Sequence, residues 1–249
     1  MLKVELHTHT SDDPNDRIPY TSFELIDHAV ALGFDALAIT LHDKQLDLCL
    51  LTPYAAERGL VLIPGIERTI RGRHVLLLNF PSAAADVRTF EDLARLKSRA
   101  PGLVVAPHPY FPTPECLWGY LEQHADLFDA VERNAMFTST LDFNRRAERW
   151  ATRRGKPIVG NGDVHRLRQL GTTYSQVDAE RDPGAICEAI AAGRVRVESR
   201  PLTCAAAAGI MASLLFSEAR GRPPDSLENR VDGKIGGIDV EDDSVLKMR

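Results

Sequence analysis

A chain of 249 residues, 44% hydrophobic and 26% charged, has the composition of an ordinary soluble globular protein and is long enough for one large domain. A formal net charge of −5 argues against any general electrostatic pull toward nucleic acid, although a local basic rim can still hold a phosphate. Four scattered cysteines without a CxxC pair argue against a disulfide scaffold or a thiolate zinc site and fit reduced thiols in a cytoplasmic protein. The N-terminal residues show no signal-peptide pattern, and the longest apolar stretch, 203–216, is too short for a bilayer, so no membrane attachment is expected.

Taken in order, residues 2–6 read as a strand and 22–32 as an amphipathic helix ending at Gly33. Residues 35–41 form the next strand, followed by a helical stretch over 46–58 that closes at Gly59. Further strands are expected at 60–63, 74–80, 103–106, 130–132 and 157–160, with helices over 90–97 and 141–153. Helices over 185–194 and 204–220 follow, and 221–249 reads as a charged, poorly ordered tail. Alternation of this kind predicts an α/β fold: a parallel sheet, closed or nearly closed into a barrel, with covering helices. The expected division is a barrel over 1–200 and a C-terminal helix with tail over 201–249.

Histidines and carboxylates collect at the strand ends. His7 and His9 follow the first strand at i and i+2, a spacing that sends both rings to one side. His42 follows the second strand directly, Glu67 follows the third through Pro64-Gly65-Ile66, His74 opens the next, and His108 ends another. Asp163 and His165 repeat the i, i+2 spacing after 157–160. Six of the eight histidines thus sit at strand edges, whereas His28 and His124 fall in helical segments and read as structural. Imidazole nitrogen with carboxylate oxygen suits zinc, manganese or iron better than calcium or magnesium. The acidic loop 11–16 supplies a further ligand, with Asp16 the better-spaced candidate and Asp13 the second.

The segments Glu5-Leu6-His7-Thr8-His9-Thr10, Ala38-Ile39-Thr40-Leu41-His42-Asp43, Pro64-Gly65-Ile66-Glu67, His74-Val75-Leu76-Leu77, Ala106-Pro107-His108-Pro109 and Gly160-Asn161-Gly162-Asp163-Val164-His165 together resemble the polymerase and histidinol phosphatase (PHP) superfamily of metal-dependent phosphoesterases. The resemblance covers roughly the first two-thirds of the chain. It implies a distorted seven-stranded β/α barrel with two or three divalent metals at its mouth. The implied ligands are His7, His9, Asp13 or Asp16, His42, Glu67, His74, His108, Asp163 and His165, with Glu67 bridging two metals. It also makes Val131-Glu132-Arg133-Asn134 a strand whose polar residues line the pocket. One position departs from the family pattern: Leu41 stands where an Asp usually precedes the histidine, and Asp43 is the adjacent substitute.

The expected activity is hydrolysis of a small phosphate monoester or nucleotide-like substrate by a metal-activated hydroxide. Glu67, Asp163 and His165 are the catalytic candidates, with Asp163 or His165 doubling as proton donor; Arg133 and Arg166 are candidate phosphate clamps, and Arg168 reads as a surface residue. Two other readings are weighed. An amidohydrolase-type amide or ester hydrolase is disfavoured by the absence of an evident bridging lysine, and a non-catalytic metal-binding domain has Leu41 as its main support.

Overall fold

Residues 1–218 are described by a computed structural model of the chain; residues 219–249, which include the whole of the segment read as a tail, lie outside the described residues. Nine strands form one continuous sheet: β1 (Leu2–Glu5), β2 (Ala36–Ile39), β3 (Val61–Ile70), β4 (Arg73–Leu78), β5 (Leu103–Ala106), β6 (Ala130–Asn134), β7 (Ile158–Asn161), β8 (Thr173–Val177) and β9 (Val195–Ser199). Their order is β7-β6-β5-β4-β3-β2-β1-β8-β9. The helices are α1 (Ser22–Ala31), α2 (Leu51–Ala56), α3 (Phe90–Arg99), α4 (Gly119–Gln123), α5 (Asn144–Arg154), α6 (Pro183–Ala191) and α7 (Cys204–Glu218).

The sheet curls until β7 meets β8. Ser175 Oγ accepts from Gly160 N at 2.9 Å and donates to Gly160 O at 3.1 Å, in place of a regular ladder. A Cβ on Gly160 would stand 2.7 Å from both Tyr174 O and Val197 Cγ1, so only glycine permits this approach. The result is a mixed α/β fold with a nearly closed, barrel-like sheet.

Two expectations are corrected. The sheet has nine strands instead of seven, because 173–177 and 195–199 pair as an antiparallel extension beside β1. Nor is it parallel throughout. Four pairs are parallel and four antiparallel, because β3 turns straight back into β4 at Arg71-Gly72, both with positive φ. The third strand also runs on to Ile70, so Glu67 lies within a strand and not in the loop after one.

Side-chain alternation divides the core. On β2, Ala36 and Ala38 face the barrel interior with Ile63, Leu76, Leu103 and Val159, and Ile186 and Ile190 of α6 join that cluster. Leu37, Ile39 and Leu41 face the other way, among Leu25 and Ile26 of α1 and Leu51 and Ala55 of α2. A third cluster joins β4, β5 and β6 to α3, α4 and α5 around Phe90, Phe128 and Trp150. Burying side chains of this size supplies about 1.5–3 kcal/mol each before conformational entropy is counted.

Helix boundaries follow local chemistry. Thr21 and Glu24 form a reciprocal capping box on α1, as Thr89 and Asp92 do on α3. Asp182 caps α6 with Pro183 at its first turn. Gly155, at φ 61°, ends α5 in the left-handed conformation that glycine adopts without penalty. No helix among the described residues is long and apolar enough to cross a membrane.

Candidate metal centre

Five of the six strand-edge histidines converge on one carboxylate. Glu67 Oε2 lies 3.2 Å from His7 Nε2, 3.3 Å from His9 Nε2 and 3.2 Å from His42 Nε2. Its other oxygen lies 2.9 Å from His74 Nδ1 and 3.2 Å from His108 Nε2. Asp163 Oδ1 extends the cluster, 3.3 Å from His7 Nε2 and 3.4 Å from His165 Nδ1. His165 Nε2 in turn meets Asp16 Oδ2 at 2.8 Å. His28 sits on α1, and His124 stacks on Phe90 at 4.0 Å, away from this group.

The far side of each inner ring decides what its near side can do. His7 Nδ1 faces Glu132 Oε2 at 2.8 Å, and His9 Nδ1 and His42 Nδ1 share Asp13 Oδ2 at 2.9 and 3.0 Å. An ionised carboxylate only accepts hydrogen bonds, so this network assigns the ring proton to Nδ1 in all three. A neutral ring then presents a bare Nε2 lone pair to a carboxylate oxygen. Two lone pairs at this distance repel unless a cation lies between them. His7 Nε2 and His9 Nε2 are also fully buried without a hydrogen-bond partner. The residues therefore fit divalent metal ions, with donor atoms of mixed nitrogen and oxygen type already gathered.

The electrostatics agree. Burial alone would lower the pKa of His7, but Asp163, Glu67 and Glu132 override it and hold it well above the ordinary value. For His9, burial is likewise outweighed by Asp13, Asp163 and Glu67, and for His108 by Cys116 and Glu67. Burial would raise Glu67 and Asp163, yet the surrounding imidazoles keep both well below the usual carboxylate range. Without metal, protons on the rings stand in for the missing positive charge.

Asp13 and Asp16 divide the acidic loop between them. Both oxygens of Asp13 are engaged: Oδ2 on the two rings and on His42 N at 2.9 Å, Oδ1 on the backbone of Asn15 and Asp16. Asp16 instead meets His165 at the open edge of the cluster. Leu41 is fully buried among apolar side chains of the outer layer. Asp43 does not substitute for the missing acid; it pairs with Arg68 at 2.5 Å and accepts from Thr69 N at 2.7 Å. Asp13 occupies that orienting position.

The arginine clamps are not brought into the site as expected. On β6, Glu132 and Asn134 turn inward, so Arg133 points out. Its guanidinium pairs with Glu148 and Asp142 and lies 4.4 Å over the Phe137 ring. Arg166 donates to the carbonyl of His165 at 2.7 Å and does not line the cavity. Arg168 is exposed and lies near Gly209 of α7.

Three features had no specific role in the sequence reading, beyond the expectation that the polar residues of 131–134 line the pocket. Glu5 accepts from the backbone of His7 and Gly162, and burial nevertheless pushes its pKa to about 8. An acid two residues before a buried histidine was the available signal. Asn134 bridges Glu132 and Asp163 at 2.8 and 3.1 Å. The third is strain: His108 and Asp163 have φ of 27° and 49°, values costing non-glycine residues about 1–3 kcal/mol and concentrated at functional sites.

Beside the cluster opens a cavity of about 440 Å³. Its floor includes Glu67, His42, His74, His108, Asp163 and His165, and α7 contributes Ala207 and Met211 to its lining.

A nearly closed α/β barrel with a His-carboxylate cluster at its mouth is the class of protein defined here. The PHP-associated family model matches residues 142–195. No curated protein matches the chain in sequence. Among solved structures, a two-domain protein of Bacteroides vulgatus containing a predicted PHP-like metal-dependent phosphoesterase aligns with TM-score 0.63 and 19% identity over 80% of this chain. The match spans 65% of that longer protein. PsfC from Pseudomonas syringae aligns with TM-score 0.63 and 17% identity, over 88% of this chain and 98% of PsfC. The lesion-specific endonuclease PfuEndoQ from Pyrococcus furiosus aligns with TM-score 0.52 and 15% identity, over 79% of this chain and 57% of the endonuclease. The resemblance to the PHP superfamily is thus supported by a family model and by shared fold.

Proposed function

We propose that the protein is a metal-dependent phosphoesterase that hydrolyses a small phosphoester. The observation that carries this reading is the convergence of His7, His9, His42, His74 and His108 on the two oxygens of buried Glu67, with two imidazole nitrogens left unpartnered. Glu67 would bridge cations held by these rings and by Asp163, with Asp16 and His165 completing the outer corner. Divalent ions so held supply Lewis acidity, making a water nucleophilic near neutral pH and offsetting phosphate charge.

The chain's own residues supply position and protons. Glu132 and Asp13 fix ring orientation, and Asn134 steadies Asp163. In the reaction the water oxygen bonds to phosphorus while the ester P–O bond breaks. The water gives up a proton, and the departing oxygen takes one. Asp163 and His165 line the cavity, and with Asp16 behind His165 this edge would handle both transfers.

The small-substrate part of the reading rests on the cavity, whose volume suits one small organic molecule. The endonuclease with a similar fold makes a polynucleotide the rival substrate. Phosphate release from a broad panel of monoesters, with metal-stripped and then manganese- or zinc-loaded protein, tests the proposal. Release that depends on metal is expected. A metal-replete protein that turns over none of the panel would contradict it.

A further inference from the structure

The cavity wall above the cluster is unlike its floor. Phe111 stands 6.3 Å from the His108 ring in an edge-on contact and 5.4 Å from Phe143, so aromatic surface rises directly from a candidate ligand. Phe137 closes another side, its ring braced by Arg133, which Glu148 and Asp142 hold in place. Met136 lies next to it in the lining. At the rim, Leu141 and Met211 are 57% and 47% exposed, two of only six large apolar side chains so exposed among the described residues. Among the described residues, no Lys or Arg lines the cavity.

These features constrain the substrate. A polyanion such as an oligonucleotide needs cations along its path beyond the reacting phosphate, and this wall provides none. An apolar rim beside a deep polar floor marks a site for a ligand with one charged end and one apolar end. Aromatic rings on several sides favour a flat partner, which can lie against one face and meet another edge-on. Resting on the phosphoesterase reading, we propose that the substrate is a phosphoester whose alcohol part is a flat, uncharged aromatic group held between Phe111, Phe137 and Phe143.

Binding of non-hydrolysable phosphonates to the metal-loaded full chain, followed by calorimetry, tests this without requiring turnover. The probes are methylphosphonate and 1-naphthylmethylphosphonate, which share the charged head. The naphthyl compound is expected to bind about 10- to 100-fold tighter, in line with the apolar area it would bury. Phe143→Ala should remove most of that advantage while leaving methylphosphonate affinity unchanged, and Phe143→Leu should keep part of it. Equal affinities for the two phosphonates, or a preference untouched by Phe143→Ala in a variant that melts like the parent, would overturn the inference. Retained naphthyl preference with no hydrolysis of any ester would instead defeat the phosphoesterase reading alone.

Discussion

Asp13 Oδ2 stands 2.9 Å from His9 Nδ1 and 3.0 Å from His42 Nδ1, so one carboxylate oxygen orients two rings whose opposite nitrogens both face Glu67. This bond supplies what the leucine before His42 withholds. Asp13→Asn would remove a pure acceptor and offer an amide N–H to a ring nitrogen that must itself donate. Metal affinity is expected to fall about 10- to 100-fold, measured by competition with a chromophoric chelator. Asp43→Asn should leave it unchanged, because Asp43 serves Arg68 and Thr69.

Introducing at position 41 the acid of the PHP pattern that the chain resembles should fail. Leu41 is fully buried against α1 and α2, on the opposite side of β2 from the cluster. Leu41→Asp would place a carboxylate there without a partner, at a cost on the order of 3 kcal/mol or more. Chemical denaturation would show the loss. A variant of unchanged stability with tighter metal binding would contradict this geometry.

Removing metal should give the protein a pH-dependent stability of definite sign. His7, His9 and His108 have raised pKa values in the metal-free fold, so their contribution is complete below their ordinary 6.5 and is lost as pH rises through the raised values. Glu67 and Asp163 have depressed values, so theirs is present above the ordinary 4.5 and 3.8 and is lost as pH falls. Melting temperature of the stripped protein should therefore peak between pH 4.5 and 6.5 and fall toward pH 8. Metal uptake at pH 7 should release protons, measurable as a buffer-dependent binding enthalpy. A flat profile with no proton release would count against the protonated rings.

Much of the site was legible because strands carry their chemistry at their ends. The spacing of His7 and His9, and of Asp163 and His165, needed only period-two geometry, and His42 and His108 needed only the end of an apolar run. Roles set by the third dimension were not legible. Spacing in the sequence puts Asp16 ahead of Asp13 as a ligand, and only the turn after His9 shows Asp13 facing two rings and Asp16 facing His165. The same limit explains Arg133, whose neighbours Glu132 and Asn134 face the site while alternation turns it away. Strands β8 and β9 do carry a visible alternation, as in Val195-Arg196-Val197-Glu198, but they lack the solid apolar run of β5.

Arg133→Ala is accordingly expected to act through the wall and not the phosphate. Losing contacts to Glu148, Asp142 and Phe137 should cost about 1–2 kcal/mol. Metal content and affinity for inorganic phosphate should stay within twofold of the parent. A specific loss of phosphate affinity at parental stability would restore the clamp.

The cysteines should react in order of exposure. Cys187 is buried beneath the sheet, and burial pushes its thiol up to about 12, whereas Cys49 and Cys204 are exposed. Titration of the native protein with a thiol reagent should modify Cys49 and Cys204 promptly and Cys187 only on unfolding, as peptide mapping would show.

The claim on which the rest depends is that Glu67 gathers the metals that act on the phosphoester. Metal stoichiometry and phosphate release, measured together on the parent and on Glu67→Gln, address it most directly. The parent should retain at least two equivalents of metal and release phosphate, while Glu67→Gln should lose metal and fall about a thousandfold or more in turnover. A Glu67→Gln protein with full metal content and parental turnover would contradict the account.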